Sequence, residues 1–401
     1  MPVNSPRLFN PVADFHAQQD QNTNRWQGLA FPDIWLLLAI MCLMCIGMVM
    51  VTSASAPLAA AQSKESVHYA LRQAVYYGLG LFMLVAMLRI ESEKLRRRSH
   101  LIIVCCFILL IAVLIPGIGR QVNGAQRWIN LGIFNLQAGE VMKLGVIIFA
   151  AAFFHQHRVS LRHSFWKISQ VMIFLGITAF LLLLEPDFGT TVVVVATVLI
   201  MLYLAEANLW YLALYGLGAL LLGVAVIVIE PYRLQRITSF LKPFDFADDE
   251  GYQLVHSLIA IGRGEIEGVG LGESIFKHQF VPEAHTDFIF AIISEEFGLI
   301  GALLVMGLFA LVSWRAFATA VLAHRMRKNF ASLLAYGIGT WLGIQSLINF
   351  GVVNGSLPTK GLTLPLISYG GSSVIITCMA LGILLRIDAE SRFVAKREGK
   401  I

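Results

Sequence analysis

About 20 apolar residues are needed for a helix to cross a bilayer, and this 401-residue chain offers ten such runs. They fall near residues 33–54, 69–88, 100–118, 140–155, 166–184, 188–205, 209–229, 287–314, 331–353 and 363–386. Inside lipid, backbone amides are satisfied only within helices or closed barrels. The expected fold is therefore an all-α polytopic membrane protein of about ten transmembrane helices. Composition agrees: 14% of residues are charged and 57% hydrophobic, where a soluble domain carries about 25% charge. Between the fifth and sixth runs the turn is only Glu185-Pro186-Asp187, and proline cannot continue a helix interior.

Three parts are expected: a polar, disordered tail over 1–32, the membrane domain over 33–390, and a basic tail over 391–401. The first tail lacks the basic–apolar–small pattern of a secretory signal. All five cysteines lie inside apolar runs, where packed thiols are expected rather than a disulfide framework or a zinc site.

Ten spans put both termini on one side. Nineteen of the 30 Lys and Arg residues fall on that side, against four in the short loops opposite. An excess of Lys and Arg in short loops marks the cytoplasm. Both ends are thus read as cytoplasmic, and the large 230–286 loop between the seventh and eighth spans as outward-facing. The basic residues need no further explanation, so nothing points to nucleic acid. No G-x-x-x-x-G-K-[ST] nucleotide cradle is present.

The unusual polar stretches collect on the outer side. Lys277 to Gly298 is the densest: it runs from Lys277, Glu283 and His285 through Asp287 into an apolar helix carrying Glu295 and Glu296. Ionisable groups at membrane depth are costly and mark functional paths. Asp287 suits a general base, and it equally suits a helix N-cap ahead of Phe288-Ile289-Phe290. Glu140 and Lys143, three apart, can form an ion pair on one helix face, either functional or closing a helix contact. Arg72 reads as a snorkelling or capping residue. The glycines from Gly262 to Gly272 suggest a flexible outer lid or ligand loop. Small residues from Ser368 to Ser373 permit close helix approach or a broken last span.

These motifs resemble one family. GRGEIEGVGLGES with PEAHTDFIFAIISEEFG, NGAQRWI, EPDFGTT and LPTKGLTLPLISYGGSS are similar to the SEDS (shape, elongation, division and sporulation) proteins, and the match runs from about residue 33 to 392. Within the family the chain is most similar to the division member. The resemblance implies glycan-strand polymerisation from lipid II at the outer face of the bacterial cytoplasmic membrane, at the division septum. It implies a class B penicillin-binding protein as partner, with other division-complex proteins. The family's essential aspartate falls on Asp287. Substrate-binding positions fall on Arg127, Trp128, Glu140, Lys143, Glu283, His285 and Lys360, with Lys277 a further outer-face cation. Two departures stand out: Gln137-Ala138-Gly139 replaces the usual Gln-Pro-Ser, and Gln126 stands where a second basic residue is common.

In the mechanism this implies, Asp287 deprotonates a sugar hydroxyl and undecaprenyl diphosphate leaves. No protein metal cage is legible, although Mg or Mn could bridge the diphosphate. The alternatives are a lipid II flippase without chemistry and a structural scaffold of the division complex.

Overall fold

The computed structural model describes residues 33–399 except 62–67, 123–124, 131, 133, 230–237, 250, 279, 281–282 and 360. The expected N-terminal tail and Lys360 lie outside the described residues. The chain folds into apolar helices. They are α1 (Ile34–Ala61), α2 (His68–Leu88), α3 (Ser92–Leu114), α4 (Ala138–Gln156), α6 (Phe165–Leu184), α7 (Phe188–Leu204), α8 (Leu209–Ile229), α10 (Ile289–Arg325), α11 (Asn329–Val353) and α12 (Gly371–Arg397). Eight are long and apolar enough to span a membrane, and α7 and α8 are further apolar helices. Two short α-helices lie among them, α5 (Arg158–His163) and α9 (Tyr252–Gly264), with a 3₁₀ turn at Pro243–Phe246. Helices α4, α11 and α12 form the buried centre, whereas α2 and α3 turn most of their surface outward. That outward surface is apolar, as lipid contact requires (Phe82, Leu101 and Ile108 are exposed).

Ion pairs gather several helix ends together. At one end Asp33, just before α1, pairs with Arg315 of α10 and Arg392 of α12, and its amide bonds Asp388 of α12 at 3.0 Å. Glu390 joins Arg386, Lys328 and Ser92 nearby. These bonds tie α1, α3, α10, α11 and α12 together.

Four departures from the sequence reading appear. Helix α3 starts at Ser92, eight residues before the apolar run, because Glu93 pairs with Arg96 and Arg97 on its first turns. The segment after α3 forms a three-stranded antiparallel sheet, β1 (Gly119–Val122), β2 (Ala125–Asn130) and β3 (Asn135–Gln137). The last span begins at Gly371; residues 361–370 enter the bundle as irregular chain, with Leu364, Leu366, Ile367 and Ser368 buried. Its C-terminal end continues to Arg397, so most of the expected basic tail is helical.

The fourth departure is the break in α10 at Gly298 (φ 63°, ψ −161°). The glycine-rich stretch expected to be a flexible lid is a strap seated on this break. Val269 and Gly270 amides bond the Glu295 and Glu296 carbonyls at 3.0 and 3.1 Å, and the Leu299 amide bonds the Glu265 carbonyl at 2.9 Å. These bonds satisfy backbone groups that the break releases. Gly268 (φ 84°) and Gly298 lie back to back, so a Cβ on Gly298 would stand 2.5 Å from the Gly268 nitrogen. The side chains of Glu295 and Glu296 complete the joint. Glu295 accepts from Arg263, Ser274 and the Ile275 amide; Glu296 accepts from Lys277 at 3.0 Å and Ser53 at 2.7 Å. The two acids therefore fasten the strap to α10 and α1.

Candidate active site

Asp287 lies in a turn, Glu283 to Phe288, that precedes α10. The helix starts at Ile289, and its N-cap is Phe288, which makes no side-chain cap bond. The capping alternative is thereby removed. Among the described residues no hydrogen bond or ion pair reaches either Asp287 carboxylate oxygen, and the side chain is half-buried. Burial pushes its carboxyl up to about 7, the neighbouring Glu283 and Asp187 charges push the same way, and Arg127 opposes them. A carboxyl poised near neutrality can take a proton at working pH.

Three residues on two elements fix the turn from below. Asn349 of α11 donates to the Asp287 carbonyl at 2.9 Å and to the Leu362 carbonyl at 2.7 Å. Ser368 donates to the Thr286 carbonyl at 2.6 Å, and the Tyr369 amide to the His285 carbonyl at 2.9 Å. The Asp287 turn and the 361–370 segment are thus one unit. Gly361 faces the carboxylate so closely that an added Cβ would lie 2.8 Å from Oδ2. Gly361→Ala is therefore expected to displace the Asp287 carboxylate and lower activity at least tenfold, since misplacement by about 1 Å can cost on the order of 10²-fold. Activity measured on protein of unchanged melting temperature checks this.

Beneath that unit sits a buried polar network. Lys143 of α4 donates to Glu140 at 2.9 Å and to Gln345 of α11 at 2.7 Å, and lies 5.0 Å from the Trp341 ring centroid. Gln345 in turn donates to the Thr363 carbonyl at 2.8 Å and accepts from Trp341. Glu140 and Lys143 are both buried. The structure places this pair under the site, joined through Gln345 to the loop at Thr363.

The remaining expected residues are spread around the turn. Arg127 on β2 donates to the carbonyls of Glu185 and Pro186 at 2.8 and 2.6 Å, holding the turn between α6 and α7. Asp187 caps α7 through the Thr190 amide and hydroxyl, and also accepts from Gln137 at 3.1 Å. Trp128 pairs with Arg120 and Gln137 in the sheet and is half-buried. Glu283 takes a positive φ (56°) and accepts from Thr286 at 2.8 Å. Burial lowers the pKa of His285, against the opposing charge of Glu283. Lys277 is buried on the strap, bonded to Ser53, Gly272 and Glu296, and does not join the Asp287 turn among the described contacts.

Sequence reasoning missed Gln345, Asn349 and Ser368. The signal was present: Gln345 and Asn349 are one helical turn apart on one face of an otherwise apolar span. Glu185 was also missed. It is fully buried, neither carboxylate oxygen has a described partner, and burial pushes it up to about 8, so it stays protonated at neutral pH.

Comparisons with known proteins agree with this architecture. The family model described as "Cell cycle protein", covering FtsW, RodA and SpoVE, matches residues 34–393. The chain is 53% identical over 398 residues (99% of this chain, 100% of the relative) to the probable peptidoglycan glycosyltransferase FtsW of Dichelobacter nodosus. It is 44% identical to the Coxiella burnetii protein of the same name, over 93% of this chain and 99% of that one. Among solved structures it is similar to a chain of a peptidoglycan synthase complex that coordinates polymerization and crosslinking (TM-score 0.73, 28% identity, 90% of this chain and 98% of that chain). It is also similar to the rod shape determining protein RodA of Thermus thermophilus (TM-score 0.66, 27% identity, 90% and 97% covered). Sharing their helix order and the sequence of the division branch almost end to end, the chain belongs to the FtsW/RodA/SpoVE family, that is, to the SEDS proteins.

Proposed function

We propose that this protein is the glycan-strand polymerase of septal cell-wall synthesis, using lipid II at the outer face of the cytoplasmic membrane. Asp287 acts as the general base. The observation that carries this reading is the Asp287 carboxylate itself: half-buried, pushed up to about 7, and unclaimed by helix capping or any described ion pair. The relatives named as peptidoglycan glycosyltransferases support the reaction class.

The carboxylate takes the proton from the 4-hydroxyl of the lipid II N-acetylglucosamine. That oxygen attacks the anomeric carbon of the growing strand's N-acetylmuramic acid. The bond from that carbon to the diphosphate oxygen breaks, with inversion, and undecaprenyl diphosphate leaves with the electron pair. The activated bond is already in the substrate, which accounts for the missing nucleotide cradle. Asp287 then returns its proton to water at the accessible side. Asn349, Ser368 and the Lys143 network hold the base in place. Among the described residues no three His, Cys, Asp or Glu side chains gather as a metal site. A divalent cation on the diphosphate would take its ligands from phosphate and water.

A flippase remains the competing class, since a helix broken at Gly298 is a feature transporters use. A flippase must open to both faces, yet the end bearing Asp33 is closed by ion pairs. The two readings separate in one assay. Purified protein with a class B penicillin-binding protein and externally supplied lipid II should make polymer and release undecaprenyl diphosphate. Transbilayer movement of lipid II with no polymer would overturn the proposal.

A further inference from the structure

The end of α11 far from the Asp287 turn carries a second polar cavity. Asn329 opens this helix, 20 residues before Asn349 and so about 30 Å from it along the axis. This is the end that short-loop Lys and Arg assign to the cytoplasm. A cavity of about 150 Å³ lies there between the α10–α11 turn, the start of α5 and the turn after α7. It has room for several waters or one phosphate group.

Three features of the lining suit an anion. The first is the start of α11 itself. Its N-cap, Lys328, makes no side-chain cap bond, so the first amides, which a helix cannot satisfy internally, are left to water or a ligand. The second is Ser332, which lines the cavity and is only 2% exposed. Among the described residues no hydrogen bond reaches its hydroxyl, and a buried hydroxyl is costly to leave unpaired. The third is charge. Glu206 is the one carboxylate in the described lining, and it is already shared by Arg162 and Arg158. Two guanidiniums against one carboxylate leave the cavity mouth positive, with Arg158 on its wall. The Asn208 amide bonds the Leu161 carbonyl at 3.3 Å, which fixes α5 to the turn bearing Glu206. Positive-inside placement accounts for the arginines. It calls for neither a cavity nor an unpaired buried hydroxyl lining it.

We propose that this cavity binds the phosphate of an anionic phospholipid of the cytoplasmic leaflet. A guanidinium fork suits phosphate oxygens, and basic pockets between membrane helices on this side suit such headgroups. The apolar half of the cavity favours a lipid over a soluble phosphate. Leu204 and Leu333 line it, and Tyr336, one turn after Ser332, packs on Phe317 of α10 with ring centroids 5.8 Å apart. Aromatic rings of this kind favour the membrane–water boundary. Val321, one turn after Phe317, is exposed, as is Tyr203 beside Leu204. The acyl chains would run over these side chains while the phosphate meets Arg158, Ser332 and the α11 amides. The headgroup then joins the α10–α11 turn to α5 and α7, so its binding raises the melting temperature.

The test uses the full-length protein in phosphatidylcholine nanodiscs to which phosphatidylglycerol is added in steps. Bound lipid is read by native mass spectrometry and stability by the melting temperature. Wild type is compared with Arg158→Gln, with Ser332→Asp, which sets a negative charge at the cavity, and with Arg97→Gln as a control. Arg97 is exposed and pairs with Glu93 on α3, outside the cavity. Phosphatidylglycerol should bind wild type and raise its melting temperature. Arg158→Gln and Ser332→Asp should each weaken that binding at least fivefold and lose the rise, whereas Arg97→Gln should behave as wild type. Ser332→Asp should keep its fold in phosphatidylcholine alone, since an acid is favoured in a first helical turn; if it does not fold, Arg158→Gln decides. Inorganic phosphate should not displace the lipid. Displacement at matched concentration would make this a soluble-anion site and overturn the proposal. It would equally be overturned by no gain from phosphatidylglycerol in wild type, by wild-type binding in Arg158→Gln, or by an equal loss in Arg97→Gln, which would reduce the effect to general surface charge.

Discussion

Asp287→Asn is expected to lower lipid II polymerisation by about 10²–10⁴-fold, the contribution typical of a positioned general base. The variant should fold, because no described hydrogen bond or ion pair to the carboxylate is lost and Asp287 is not the N-cap of the helix. The sign of the stability change is informative. The folded-state pKa of Asp287 stands near 7, above its ordinary 3.8. Ionising the group therefore opposes folding, a penalty absent below about pH 4 and fully present above about pH 7. Asparagine removes that penalty, so at pH 8 the variant should melt at or above the wild-type temperature. A carboxylate kept for structure would show the opposite: lost stability with activity intact. Parallel melting curves and polymerisation rates check both halves.

The second large effect concerns stability. Lys143→Met is expected to destabilise the protein by about 3–5 kcal/mol, the cost of leaving one member of a buried ion pair without its partner. Glu140 would remain buried with no counter-charge, and Gln345 would lose one of its two donors. Since Gln345 also holds the Thr363 carbonyl, activity should fall with stability. The double variant Glu140→Gln with Lys143→Met should recover much of the lost stability, because no unpaired charge is left inside. Denaturation of Lys143→Met, Glu140→Gln and the double variant in detergent, read as a double-mutant cycle, tests this. Additive losses would mean that the pair is not coupled.

Hydropathy made the spans legible and short-loop charge made their two ends legible, since both follow from the cost of burying backbone and charge in lipid. The break in α10 was not legible. Gly298 sits in an apolar run that reads as one continuous helix, and only the opposing Gly268 shows why both positions need glycine. Glu295 and Glu296 looked like acids without a purpose. Their partners, Arg263, Ser274, Lys277 and Ser53, lie 19 to 243 residues away in sequence, beyond the reach of any local pattern. At the site, Asp287 and the Glu140–Lys143 pair were visible from residue type and spacing. Which was exposed and which buried was not, because burial is a property of the packed bundle. The N-cap alternative for Asp287 failed for a local reason: the Glu283–Phe288 turn delays the helix start by two residues.

Asp287 as the base is the central claim, and the pH dependence of kcat/KM for lipid II polymerisation tests it most directly. The measurement compares wild type with Asp287→Asn, with the partner present. Asp287 must be deprotonated to accept a proton, so the wild-type rate should rise with pH through a midpoint near 7 and then level off. Burial lowers the His285 pKa below its ordinary value, to the acid side of that midpoint. The Asp287→Asn variant should be slower by orders of magnitude and lack the rise. A variant that keeps the wild-type rate, or the same midpoint near 7, would contradict the assignment.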